Sequence, residues 1–237
     1  MMATATSRFH LEPPPWLYAR LAKGPLFRRL YRRFVADLAA ALPPGARVLD
    51  VGTGPGYLPA YLARERPDLD LSGLDLSDRM IRRAARRHPE LRKWSVADAQ
   101  ALPFPAGVFD QTIASFSLHI WPDRALGVQE LVRVLKPGGR AWIFELRREA
   151  AADELRQFAR AEGLPFLMVY PGFKVVSWHH SLRQAEFDPI LRAAAGCQWE
   201  LQPVHHLLWR AELRRAQVPA HRPGRTPRDS SPNFLPP

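Results

Sequence analysis

The segment Val48-Leu49-Asp50-Val51-Gly52-Thr53-Gly54-Pro55-Gly56-Tyr57 sets the tightest limit on what this chain can fold into. A buried-strand run meets three glycines at alternate positions, and a helix follows. Glycine lets the backbone turn sharply and approach a ligand with no Cβ in the way. The helix beyond presents unpaired N–H groups, which favour negative charge. The spacing is Gly-x-Gly-x-Gly, whereas a dinucleotide pyrophosphate loop reads Gly-x-Gly-x-x-Gly. By itself the loop also fits a tight strand-to-helix turn that binds nothing.

Around it, apolar strands alternate with helices. Strands are expected at 47–51, 69–75, 92–97, 108–115 and 140–146, and helices at 57–65, 78–87, 123–135 and 150–161. That alternation predicts a parallel sheet covered on both faces, with right-handed crossovers. A last helix near 181–195 precedes strands at 198–203 and 205–213, too close for a helical crossover and so an antiparallel pair. The expected architecture is a Rossmann-like, doubly wound α/β sheet of seven strands, mostly parallel, with an antiparallel C-terminal strand. Residues 16–41 read as a helix broken at Gly24-Pro25, with Leu26, Phe27, Leu30, Phe34 and Leu38 at helical spacing. Residues 162–180 fit no repeat unit and read as an insertion over the carboxyl edge of the sheet. A single domain over 16–216 follows: cap 16–44, core 45–146, helix and lid 147–180, last helix and strands 181–216. Flexible tails are expected at 1–15 and 217–237.

The 237 residues carry 34 Lys+Arg against 23 Asp+Glu, a net charge of +11. Residues 16–47 and 79–93 each hold seven basic residues and one acidic one, which leaves the remainder near neutral. Two basic helical surfaces keep a nucleic-acid partner admissible, while a solvated face explains them equally. The lone Cys197 excludes an internal disulfide framework and a cysteine-rich zinc site. No run approaches ~18 apolar residues, and the start lacks a signal peptide's order, so a cytoplasmic location is expected.

Two acids sharpen the loop. Asp75 ends the second strand, where a carboxylate can accept from ribose hydroxyls, and Asp98 follows the third, where one can accept from an exocyclic amine. Each also fits a helix cap or turn former. With these residues in place, the chain resembles the class I S-adenosylmethionine-dependent methyltransferases, in the branch holding small-molecule and quinone enzymes. Val48–Gly56, Leu74-Asp75-Leu76-Ser77, and Asp98 with Leu102-Pro103-Phe104 match its first three motifs. Phe109-Asp110 through Ser117-Leu118-His119 is similar to the fourth, and Leu131 through Gly139 to the helix and turn before strand five.

The resemblance implies S-adenosyl-L-methionine as cofactor, S-adenosyl-L-homocysteine as product, and no metal. It puts Gly52 and Gly54 along the methionine part, Asp75 on the ribose, Leu76 and Ala99 against the adenine, and Asp98 at its amine. Asp50, Thr53, Gly56, Tyr57 and Met80 join the cofactor site, and Ser115 and Phe116 face the methyl group. His119 is a candidate base, and a structural histidine is the alternative. Trp16, Tyr18, Phe116, His119, Phe166 and Phe173 are candidate acceptor contacts, with core packing the plainer role for each aromatic. The pairs His179-His180 and His205-His206 point to opposite faces if extended, so neither chelates alone.

Ser115-Phe116-Ser117-Leu118 departs from the Asn/Asp-Pro-Pro-aromatic tetrad of families that methylate nucleobase amines. Cys197 lies beyond the sheet core, away from where a cytosine C5 nucleophile belongs, and paired glutamates of arginine methyltransferases are not evident. A small or lipophilic acceptor remains, which the greasy 164–173 segment suits. Structured RNA is the alternative acceptor, and a non-catalytic nucleotide-binding or scaffold domain the alternative class.

Overall fold

The computed structural model describes residues 24–179 and 181–217; Trp16 and Tyr18, and the expected tails apart from Gln217, lie outside them. Helix α1 (Pro25–Ala41) starts with proline in its first turn, where a missing N–H costs nothing. It buries Phe27, Leu30, Phe34, Val35 and Leu38, and Pro43-Pro44 prevents its continuation.

Strands β1 (Arg47–Val51), β2 (Asp70–Asp75), β3 (Trp94–Val96), β4 (Phe109–Ser115), β5 (Leu135–Arg147), β6 (Ser181–Leu182), β7 (Cys197–Val204) and β8 (Leu208–Arg215) form one sheet. The order is β3-β2-β1-β4-β5-β8-β7, with the two-residue β6 paired to β5. β8 runs antiparallel to both β5 and β7, and the remaining pairings are parallel. The sheet is thus the expected one, with a short extra strand at β6. The intervening helices are α2 (Tyr57–Glu65), α3 (Asp78–Arg87), α4 (Arg124–Arg133), α5 (Ala152–Ala161), α6 (Phe166–His179) and α7 (Gln184–Arg192).

Side chains alternate across each strand, so the sheet feeds two cores. Val48, Ile113, Trp142, Phe144 and Leu146 pack with α1, α2, α5 and α6 on one face. Leu49, Val51, Ala141 and Ile143 pack with α4 and α7 on the other. Phe34 stacks on Phe144 at 4.5 Å, which fixes α1 to β5.

Three expectations change. The 162–180 insertion is largely helix α6, because inward Val169, Phe173 and Val176 recur at helical spacing and their burial outweighs Pro171 within it. The last helix is shorter than 181–195, since Ser181 and Leu182 pair with Leu146 and Arg147 instead. His205 and His206 form a left-handed turn before β8 (φ 50° and 64°), and His205 Nε2 lies 2.8 Å from Asp37 Oδ2.

Strand order reverses between β1 and β4. The chain winds outward through β2 and β3, then returns to build β4 and β5 on the other side. In open α/β sheets ligands bind at such a switch point, beyond the carboxyl ends of the strands. The glycine loop leaves β1 there, and Ser115-Phe116 leaves β4.

Candidate active site

Gly52, Gly54 and Gly56 all adopt positive φ (74°, 55° and 79°), a region closed to most side chains. Their surroundings differ. A Cβ on Gly52 would stand 2.5 Å from Ser117 Cβ, and one on Gly56 2.7 Å from the Trp94 ring. A Cβ on Gly54 would meet nothing within 4 Å. Gly52 and Gly56 are small for packing, whereas Gly54 faces the open side of the loop.

The loop is tied to the end of β2. Gly52 N–H and Thr53 N–H both donate to the Leu74 carbonyl at 2.9 Å. Gly54 N–H donates to Asp75 Oδ2 and Ser77 N–H to Asp75 Oδ1, each at 2.8 Å. Asp75 therefore shapes the loop, a role the sequence reading did not give it. A carboxylate has about four acceptor sites, so two remain for a vicinal diol. Asp98 stands one strand further out and accepts from Gln100 N–H at 2.9 Å, closing a turn beside buried Ala99. Leu76 is 70% exposed next to Asp75, an apolar surface at the strand end where the resemblance puts adenine. Met80, half-buried on α3, donates its N–H to the Ser77 cap. Tyr57 opens α2 and accepts from Arg87 Nη1 at 2.7 Å.

Asp50 is 2% exposed, and neither carboxylate oxygen has a hydrogen-bond partner among the described residues. Burial pushes its carboxyl up to about 7; the nearby Thr53 hydroxyl pulls the other way, and the charge of Asp75 adds to the rise. An orphaned buried acid beside a glycine loop fits a ligand carrying an ammonium group, as the methionine part of S-adenosyl-L-methionine does. The open Gly54 position, the free acceptor capacity of Asp75 and the orphaned Asp50 together fit that cofactor.

Beyond buried Ser115, Phe116 takes φ 55°, strained for a bulky residue and a mark of functional loops. Its N–H bonds the Phe144 carbonyl at 2.8 Å, and Ser117 Oγ bonds the Val51 carbonyl at 3.1 Å. The Phe116 ring meets Phe27 and Tyr31 at 5.5 Å and Phe34 at 5.9 Å, all edge-on. Tyr31 was missed in the sequence, although it sits four residues after Phe27. His119 lies in a short 3-10 turn (Leu118–Ile120). Its Nδ1 is 3.0 Å from Glu145 Oε2, and its backbone N–H donates to Oε1 at 3.2 Å. Glu145 is wholly buried on β5, and its one sequence signal is an acid inside an apolar strand.

The lid residues are placed differently from expectation. Phe173 is wholly buried in the core of the α1 face and lines no open pocket. Phe166 packs on Tyr170 at 5.4 Å beneath Arg156. Packing of α6 on the sheet, rather than a hinged cover, accounts for both.

A mostly parallel sheet with a clamped glycine loop at its switch point, an acid ending β2 and a second acid after β3 is the arrangement of a class I S-adenosyl-L-methionine-dependent methyltransferase domain. Residues 49–143 match the family described as a methyltransferase domain. The uncharacterized methyltransferase YdaC of Bacillus subtilis is 35% identical over 119 residues, 49% of this chain and 66% of that protein. The demethylmenaquinone methyltransferase of Thermus thermophilus is 40% identical over 119 residues, 48% of this chain and 53% of that protein. The chain thus spans about half to two thirds of the length of these curated relatives. A SAM-dependent methyltransferase structure from Aquifex aeolicus shares the fold, with a TM-score of 0.60 at 21% identity over 83% of this chain and 97% of that one.

Proposed function

We propose that this chain transfers a methyl group from S-adenosyl-L-methionine to a small or lipophilic acceptor of the quinone type, by in-line displacement at the crevice between β1 and β4. The observation that carries the reading is the clamped loop, with Gly54 N–H held by Asp75 while the Gly54 Cβ position stays open. When bound, the cofactor supplies an electrophilic methyl carbon on a sulfonium sulfur.

The chain's own residues do the rest. Thr53 and Gly54 give the methionine part a backbone cradle whose turns Gly52 and Gly56 set, and Asp50 meets its ammonium. Asp75 accepts from the ribose hydroxyls, while Leu76, Met80 and Ala99 flank the adenine and Asp98 its amine. Tyr57, held by Arg87, borders the loop. Ser115 and the ring cluster about Phe116 form the wall that orients the acceptor and excludes water. Such positioning can supply much of the rate, because effective molarities reach ~10⁵ M or more. With Nδ1 turned to Glu145, His119 is the group suited to take a proton from the acceptor.

Calorimetry with S-adenosyl-L-homocysteine, followed by radiolabelled methyl transfer to reduced naphthoquinones and simple phenols, tests this. Binding and labelled hydroquinone are expected. No binding by the intact chain would overturn the reading, label on RNA would overturn the acceptor, and binding with no transfer would favour a scaffold.

A further inference from the structure

Helix α6 is apolar on both faces, which is unusual for a helix at a protein surface. Its inward arc is Val169, Phe173 and Val176, all buried. Its outward arc is Leu167, Met168, Tyr170, Pro171 and Val175, with Leu167 85% and Met168 63% exposed. Scattered exposed apolar residues are ordinary, but a contiguous arc on one helix marks an interaction surface.

Cations rim this arc. Arg156 lies 4.9 Å over the Phe166 ring and Lys174 Nζ 5.9 Å over that of Tyr170. At the end of α5, just before α6, Glu162 takes both Arg29 and Arg33 of α1, which ties the arginine-rich helix to this end of the molecule. Arg28, Arg32 and Arg160 are exposed and have no carboxylate partner among the described residues. Apolar groups flanked by basic ones, with a tyrosine among them, match a bilayer interface carrying anionic headgroups. At 14 residues α6 is too short to span a bilayer, which needs roughly 20, so it would lie along the surface.

We propose that the outward face of α6, with the exposed arginines of α1, docks this protein on an anionic lipid bilayer. The inference stands apart from methyl transfer, and it would bring the α1 face of the sheet toward lipid.

Vesicle co-sedimentation of the full chain tests it, using phosphatidylcholine with and without phosphatidylglycerol. Binding is expected to the mixed vesicles, weakened by salt, and much weaker binding to phosphatidylcholine alone. Exchanging Arg28 and Arg32 for Gln should lower the affinity by roughly 10- to 30-fold. Leu167→Ser with Met168→Ser should lower it comparably, with circular dichroism unchanged because both side chains are exposed. No binding to mixed vesicles, or unchanged binding by the Leu167/Met168 variant, would overturn the proposal. A dimer seen by light scattering in the unaltered chain and lost in that variant would assign the face to a second copy and overturn it equally.

Discussion

Asp50 is a carboxyl group that the fold withholds from water, with only the nearby Thr53 hydroxyl to favour its charge. Its ordinary value of 3.8 rises to about 7 in the folded state. The folded chain therefore holds one more proton than the unfolded chain between pH ~4 and ~7, so stability falls as pH rises through that window. Above it the whole cost of the buried charge is present. Asp50→Asn is neutral at every pH, so calorimetric melting should show the variant more stable than the parent at pH 8, by on the order of a few kcal/mol. The advantage should shrink toward pH 5; one independent of pH would remove the assignment. The same variant should bind S-adenosyl-L-homocysteine less well, since functional acids are commonly kept at a cost in stability. The buried pair His119–Glu145 makes a second case. Glu145→Gln should lower kcat and leave affinity for S-adenosyl-L-homocysteine in place, because Glu145 faces the His119 ring. Steady-state kinetics beside calorimetry would separate the two, and an unchanged kcat would count against His119 as the base.

The glycine loop shows how two residues of one type can do different work. Gly52→Ala combines a strained φ of 74° with a Cβ 2.5 Å from Ser117, so it should cost several kcal/mol in urea unfolding. Gly54→Ala carries only the strain of φ 55°, about 1–2 kcal/mol, yet it should weaken cofactor binding by intruding on the open side. Equal losses of stability would mean that Gly54 is packed as Gly52 is. This loop and the central strands were legible because strands buried on both faces carry short apolar runs such as Val48-Leu49 and Trp142-Ile143-Phe144, and three alternate glycines have few uses. Helix α6 was not. Pro171-Gly172 reads as a turn, and apolar residues on the outward arc erase the contrast that would expose the buried 169–173–176 spacing. Glu145 was hidden for another reason. Its partner is His119, 26 residues earlier, which only the sheet brings near. Asp75 and Asp98 stand out by position at strand ends, but the loop-shaping bonds of Asp75 depend on strand register.

At the scale of the whole molecule, the net charge of +11 is less available than its sum implies. Arg29 and Arg33 are drawn to Glu162 and Arg82 to Asp78, so each basic helix has part of its charge offset by an acid of the same chain. The crevice at the β1–β4 switch point sits over a two-sided core. A ligand that binds only the folded state at 100 times its Kd adds about 2.7 kcal/mol. For a domain of this size that is a rise in Tm of roughly 5–10 °C with S-adenosyl-L-homocysteine. Asp75→Ala should lose most of that rise, because it removes both the proposed ribose acceptor and the anchor of the glycine loop. Phe173→Ala should do the reverse. Its side chain is wholly buried, so the unliganded Tm should fall by the equivalent of about 3–5 kcal/mol while the ligand-induced rise persists. A Phe173 variant with an unchanged baseline would return that residue to a lid, and an undiminished rise in the Asp75 variant would remove the crevice from the cofactor.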